Sequence, residues 1–407
     1  MRATRVSQRL RTLLFSTLYP SSVRPGHGIF VQTRLRELLA SGALDCRVVA
    51  PVPWFPSAHA RFGAYALHAR TPRRETLQGV EVLHPRYALA PKVGMTTAPL
   101  ALALGALPAL RALRAEGFDF DLIDAHYYYP DGVAAALLAR WFGKPFVVTA
   151  RGSDINLIAR YRAPRRMMQW AARRARGSIG VSRALVESMA QCGFEVEKLH
   201  VISNGVDLER FRPIPPAEAR AGLGLTGRPV LLSVGNLVAL KGHDLTIAAF
   251  DGLLAEHPDA QLVLVGVGAE RSRLEGQVQA LGLGARVRFA GAVPNDELRL
   301  WYSAADVSVL ASSREGWPNV LLESMACGTP VVATRRGGSA EIVTGNAAGR
   351  LVEVRDAAHL GAAIETLLHA LPERAGVRAH ASGFGWQATS QAQLALFRAI
   401  AESVCDA

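Results

Sequence analysis

Val230-Leu-Leu-Ser-Val234-Gly235-Asn-Leu-Val-Ala-Leu-Lys241-Gly242-His-Asp-Leu-Thr-Ile-Ala-Ala-Phe250 reads as a strand, a glycine loop and a helix. Val230–Val234 carries no charge, as a strand covered on both faces requires. Gly235 and Gly242 bracket the loop, and Asp244–Glu256 follows with helical spacing of its apolar residues. The same unit recurs outward from this point. Gln261–Val265, Val287–Ala290, Val307–Leu310 and Pro330–Ala333 read as further strands, with a helix over Leu321–Cys327. Before it, Leu13–Thr17, Arg47–Ala50, Leu122–Ala125 and Phe146–Thr149 show the same pattern. Strands separated by helices make parallel sheets with crossover connections, so the fold class is α/β.

The chain has 407 residues, enough for two domains. Phe211-Arg-Pro-Ile-Pro-Pro216 and the glycine-rich Gly222–Gly227 mark a linker. The expected division is residues 1–212, a linker 213–228, a second domain 229–385, and a terminal helix 386–407 packing back on the first domain. Two such domains face each other across a cleft, and ligands bind beyond the carboxyl ends of the strands. Half the residues are apolar and a fifth are charged, which excludes a disordered chain. Cys46, Cys192, Cys327 and Cys405 are scattered, against a zinc site or a disulfide framework and in favour of a reducing, cytoplasmic setting. Arg2, Arg5, Arg9 and Arg11 read as a basic lead-in to the first strand rather than a secretory leader. Val93–Leu110 is uncharged but holds two prolines, and reads as a helix of a soluble domain.

Charge is unevenly placed. Residues 1–210 hold 29 Lys/Arg and 15 Asp/Glu, a net of +14, against −2 for the remainder. The first half therefore suits an anionic partner. Seven arginines fall between Arg160 and Arg176, with Met167, Trp170 and Ala171 on another helical face. That segment fits an anionic membrane surface, a pyrophosphate-linked acceptor, or a solvated basic face. No nucleic-acid-binding motif accompanies it.

Two features carry chemistry. Glu315-Gly-Trp-Pro-Asn319-Val-Leu-Leu-Glu323 places two carboxylates eight apart in small and apolar surroundings, one in a loop and one on the helix that the loop opens. Gly316 and its neighbours offer backbone N–H groups at a helix start, which suits an anion or sugar hydroxyls. Lys241-Gly242, at the end of a loop that follows a strand, places an ammonium against a diphosphate.

Together with Pro25-Gly-His-Gly28-Ile-Phe, His126-Tyr-Tyr-Tyr-Pro-Asp-Gly, Thr149-Ala-Arg151-Gly-Ser-Asp154, Val181-Ser182, Ile202-Ser-Asn-Gly-Val-Asp207 and Gly337-Gly-Ser-Ala-Glu341, these features resemble glycosyltransferase family 4 over nearly the whole chain. These are retaining nucleotide-sugar transferases of the GT-B fold, two Rossmann-like doubly wound parallel-sheet domains. The resemblance implies that Glu323 binds the nucleotide ribose and that Glu315, with Gly316 and Asn319, contacts the donor sugar. It implies that Lys241 neutralises the leaving diphosphate, that the backbone at Gly28 approaches it, and that His126 meets a donor hydroxyl. Arg151 and Asp154 are candidates for acceptor or phosphate contacts. Asn236 stands where many members have Arg, and Arg151 where they commonly have His, which puts a two-cation scheme in doubt.

The implied activity is retaining transfer from a nucleotide-diphosphate sugar, without metal or resident cofactor, to a saccharide or lipid-linked acceptor of cell-surface polysaccharide synthesis. The enzyme would be cytoplasmic, on the inner face of the membrane. A synthase-like enzyme with a soluble acceptor and a catalytically silent sugar-nucleotide binder are the alternatives. Asp119-Phe-Asp121 mimics a metal motif in letters only, and Gly266-Val-Gly268-Ala-Glu-Arg271 lacks the third glycine of a dinucleotide fingerprint.

Overall fold

The computed structural model describes residues 9–89 and 94–405. Arg2, Arg5 and Val93 lie outside the described residues. In chain order the first half forms β1 (Leu10–Phe15), β2 (Leu44–Val49), β3 (Val52–Pro53), β4 (Arg74–Leu77), β5 (Val80–Leu83), β6 (Arg86–Tyr87), β7 (Leu122–His126), β8 (Phe146–Ala150), β9 (Gly177–Gly180) and β10 (Leu199–Val201). The second forms β11 (Val230–Val234), β12 (Gln261–Val265), β13 (Val287–Gly291), β14 (Val307–Leu310), β15 (Val331–Thr334) and β16 (Gly349–Val352). One sheet runs β10-β9-β8-β7-β1-β2-β5-β4, and the other β13-β12-β11-β14-β15-β16. Among the described residues, every pairing between these strands is parallel except β4 with β5. The α/β expectation holds, because β7, β8, β11 and β14 are buried along their whole length.

The chain divides into two compact units. Residues up to Ser203, with the chain from Gln387 onward, form the first, and Asn204–Trp386 the second. The proline-rich stretch at 211–216 therefore lies inside the second unit. Cations and hydroxyls of that unit hold it: Arg378 donates to the carbonyls of Leu208 (3.0 Å) and Phe211 (2.8 Å), and the Ile214 N–H donates to Ser303 Oγ at 3.1 Å. From the helix Trp386–Cys405, Leu394, Phe397 and Ile400 pack with Leu38, Leu44, Leu122 and Val147 of the first unit.

The helix Gly94–Ala115 runs through Pro99 and Pro108. Its Leu102, Ala106, Leu110 and Leu113 are buried, whereas Leu100 and Leu104 are exposed. By length and composition alone its Met95–Ala115 stretch would span a bilayer. The basic segment forms the helix Arg162–Arg174, with every arginine exposed. Its inward face is Pro164, Met168, Ala171 and Ala172, while Met167 and Trp170 are half-buried. The apolar face is thus rotated from the one expected on Met167 and Trp170.

Candidate functional site

In the second unit, glycines press three loops together beyond the strand ends. A Cβ on Gly242 (φ +68°) would lie 2.2 Å from the Ala311 carbonyl oxygen, just after β14. One on Gly337 (φ +53°) would lie 1.9 Å from the Glu315 carbonyl oxygen, and one on Gly266 the same distance from that of Gly235. Only glycine permits these approaches. They bring Lys241 Nζ to 2.7 Å from Glu315 Oε1, across 74 residues of sequence. Glu315 is nearly buried and Lys241 partly accessible. The helix His243–Leu253 starts at Gly242 without a side-chain cap, so its first N–H groups are available to an anion.

Glu323, on the helix Asn319–Ala326, accepts a hydrogen bond from Tyr302 Oη at 2.8 Å. Its burial pushes the carboxyl pKa up to about 7, against the opposing effect of Tyr302. Asn319 Oδ1 accepts from Asn204 Nδ2 at 3.3 Å. Asn236 is exposed, and its carbonyl accepts from His243 Nε2 at 3.3 Å. His243 is buried, which lowers its pKa, and its Nδ1 faces the Ser233 hydroxyl at 3.1 Å. Around the Glu315 loop, Ser312 Oγ, Trp317 Nε1 and Ser339 Oγ are buried without a hydrogen-bond partner. Such orphaned groups are what a polar ligand satisfies.

In the first unit, Gly28 (φ +68°) precedes the helix Ile29–Ala40, and a Cβ there would meet the Leu18 carbonyl at 2.3 Å. His126 ends β7 and is buried. Its Nε2 donates to Asp124 Oδ2 at 3.2 Å, and Arg151 Nη2 donates to its Nδ1. Both nitrogens are thus engaged, and burial pulls the pKa down to about 4, leaving a neutral ring. Asp124 Oδ2 also accepts from Gln393 Nε2 at 3.2 Å, and Arg34 donates to Gln393 Oε1 at 2.6 Å. The Arg151 guanidinium lies 5.1 Å over the Phe30 ring.

Asp154 differs from its expected place among ligand contacts. It is fully buried, and it accepts backbone N–H groups from Tyr128 (2.8 Å), Gly152 (2.8 Å) and Arg151 (3.1 Å). A carboxylate committed to three amides braces its loop from within.

Several contributors have no local signature. Tyr302, Asp124, Arg34 and Gln393 act through partners 21 to 359 residues away or, for Asp124 and His126, through a fold that buries both. The two false motifs are accounted for. Asp119 pairs with Lys144 at 2.9 Å and Asp121 accepts from the Arg11 N–H at 2.9 Å. Gly266 and Gly268 pack on the Gly235 and Leu237 carbonyls. Among the described residues no group of three or more His, Cys, Asp or Glu is placed to hold a metal ion.

Comparison with known proteins follows the two units. Residues 26–210 match Glycosyltransferase Family 4, and residues 217–381 match Glycosyl transferases group 1. A D-inositol 3-phosphate glycosyltransferase of Frankia alni is 35% identical, over 69% of this chain and 74% of that protein. The glycosyltransferase TuaC of Bacillus subtilis, named for teichuronic acid biosynthesis, is 31% identical over 88% of this chain and 90% of its own. Among solved structures, sucrose-phosphate synthase of Thermosynechococcus elongatus superposes with a TM-score of 0.80 at 24% identity, over 97% of this chain and all of that one. HepE of Anabaena, solved with UDP-glucose, gives 0.70 at 22%, over 98% of this chain and all of that one. These likenesses show the GT-B fold.

Proposed function

This chain belongs to the family 4 glycosyltransferases, and on that premise we propose that it moves a sugar, with retention and without a metal, from a nucleotide-diphosphate sugar to a hydroxyl of a lipid-linked saccharide. The Lys241–Glu315 pair carries this reading. It places an ammonium beside a carboxylate at the strand ends, next to an uncapped helix start. The diphosphate of the donor takes Glu315's place on Lys241. The released carboxylate accepts from sugar hydroxyls, with Gly316 and Asn319 beside it, while Glu323 accepts from the ribose. The bond from the anomeric carbon to the diphosphate oxygen breaks, and its electron pair stays on that oxygen. Lys241 and the helix-start amides stabilise the growing charge. The acceptor oxygen bonds the anomeric carbon on the same face, and its proton passes to the leaving diphosphate. His126 bonds a donor hydroxyl only by exchanging Arg151 at Nδ1, and it does so as a neutral ring.

The net basic first half and the exposed arginines of Arg162–Arg174 support an acceptor held at an anionic membrane on the cytoplasmic side. TuaC supports a cell-surface polysaccharide pathway. The inositol-phosphate relatives support a second reading, a soluble phosphorylated acceptor.

Thermal-shift titration with UDP, GDP and ADP, and with their sugars, tests the donor site. Stabilisation by one nucleotide, lost in both Lys241→Ala and Glu323→Ala, is the expected result. No stabilisation by any of them overturns the reading. The anomeric configuration of the product and turnover in EDTA test retention and metal independence. Sedimentation with phosphatidylglycerol vesicles separates the two acceptor readings.

A further inference from the structure

A cavity of about 190 Å³ opens at the carboxyl ends of β1, β2 and β5, within the first unit. It is smaller than the roughly 300–1,000 Å³ that encloses a drug-sized ligand, and so suits one headgroup. Its lining includes Arg24, His27, His68 and His84. His84 is committed inward, to Glu75 at 2.8 Å and the Ala50 carbonyl at 2.9 Å. Glu75 also accepts from the Ser22 N–H at 3.2 Å, so this carboxylate is engaged by His84 and the Ser22 backbone.

Arg24 donates instead to His27 Nδ1 at 3.1 Å, while His27 Nε2 donates to the Thr17 carbonyl at 3.0 Å. Burial first, and then Arg24, lowers the His27 pKa against the opposing effect of the Thr17 carbonyl, and among the described residues no carboxylate forms an ion pair with Arg24. Arg86 bonds the carbonyls of His84 and Thr71. Facing both arginines, His68 keeps Nδ1 buried with no hydrogen-bond partner. Burial first, then Arg24 and Arg86, lowers its pKa, so the imidazole is held neutral against its own positive surroundings. The Arg24 guanidinium and an orphaned imidazole nitrogen line a headgroup-sized space, with Arg86 adding positive charge from behind the wall. A neutral sugar would leave the Arg24 charge unmatched, whereas an oxyanion pairs with it.

We propose that this cavity is the acceptor's phosphate subsite, binding a phosphate monoester through Arg24, His27 and His68. The inference rests on the second reading above, a phosphorylated acceptor, taken by the first unit. An oxyanion between Arg24 and His68 would supply the missing partner for Nδ1 and favour its protonation.

The test follows the histidine imidazole resonances of the full-length protein by NMR as inorganic phosphate replaces chloride at constant ionic strength. Glucose 6-phosphate and glucose are run in parallel. Saturable shifts of His68 and His27 with both phosphates, absent with glucose, are expected. Arg24→Gln should weaken phosphate binding at least tenfold, and His68→Phe severalfold. No saturable shift in the wild type, or equal shifts with glucose, overturns the subsite. So does unchanged affinity in both variants. Nucleotide stabilisation of the same wild-type sample reports the donor reading separately. If it persists while phosphate leaves His68 unmoved, only the subsite fails. If it is absent while phosphate saturates, only the transferase reading fails.

Discussion

The two units treat charge at their strand ends in opposite ways. In the second, Lys241 meets Glu315 where solvent still reaches the ammonium. In the first, Arg34, Gln393, Asp124 and His126 form a chain sealed in the interior, and Asp154 is spent on backbone amides. A pair at an accessible edge exchanges its partner for a ligand at small cost. A buried network costs several kcal/mol to open, because every released group is left unpaired in a low dielectric. The exchangeable ion pair therefore lies in the second unit, whereas the Arg34–Gln393–Asp124–His126 chain and Asp154 of the first are committed to internal partners.

Three changes test this contrast. Lys241→Ala should cost about 10²–10³-fold in turnover, as for other groups that stabilise a developing anion. Nucleotide release from the donor is the readout, and a loss under about tenfold would place the leaving-group charge on another cation. Asp154→Asn should act on the first unit in the opposite manner. It should destabilise by about 2–4 kcal/mol through the lost charge-assisted amide bonds, read as a lower Tm. The double variant Lys241→Met/Glu315→Gln should stay within about 1 kcal/mol of wild type, because both partners leave together. Equal Tm losses in the two proteins would erase the contrast.

Glu323 supplies a pH test. Its folded pKa is raised from 4.5 to about 7 by burial. The folded state therefore keeps a proton that the unfolded chain releases above about pH 4.5. The stability that this group contributes is present below that pH and is lost as pH rises through about 7. Nucleotide affinity should run the other way, rising over the same window as the carboxylate becomes the acceptor for ribose hydroxyls. Glu323→Gln should flatten both slopes and weaken nucleotide binding about tenfold. Asp131 of the first unit, raised from 3.8 to about 7 by burial, has the same stability slope. Asp131→Asn should flatten only stability, measured as Tm against pH. The smallest effect is expected from Asn236→Arg. Its exposed position admits a second cation near Lys241, and diphosphate affinity should gain about fivefold, or roughly 1 kcal/mol, by calorimetry.

Much of this was legible because it is local. Val230–Val234, Gln261–Val265 and Val307–Leu310 stand at the bounds read from their apolar runs. β9 and β10 escaped notice because Gly177–Gly180 and Leu199–Val201 are too short for an apolar run. β4 and β5 escaped because their alternating charges, Arg74, Glu75 and Glu81, mark an antiparallel edge. Lys241, Glu315 and Glu323 stood out as charges among glycines and apolar residues at strand ends. Asp154 looked the same in sequence, and only the backbone wrapped around it shows a different use. The Arg24–His27 pair sits beside the Gly28 motif, but its meaning depends on His68 arriving from a separate helix.

The amino-acid sequence alone determined the alternation of strand and helix, the two-unit organisation, the family, and which charged residues stand among glycines and apolar residues at strand ends. Those properties follow from hydrophobic period and turn chemistry, which act over a few residues. The tertiary structure decided which charges are paired, which are buried and which remain open to a ligand. Lys241 finds Glu315 across 74 residues, and Arg34 finds Gln393 across 359. Sheet order sets such distances, and burial then sets the protonation of Glu323 and His126. Neither quantity is carried by any single stretch of chain.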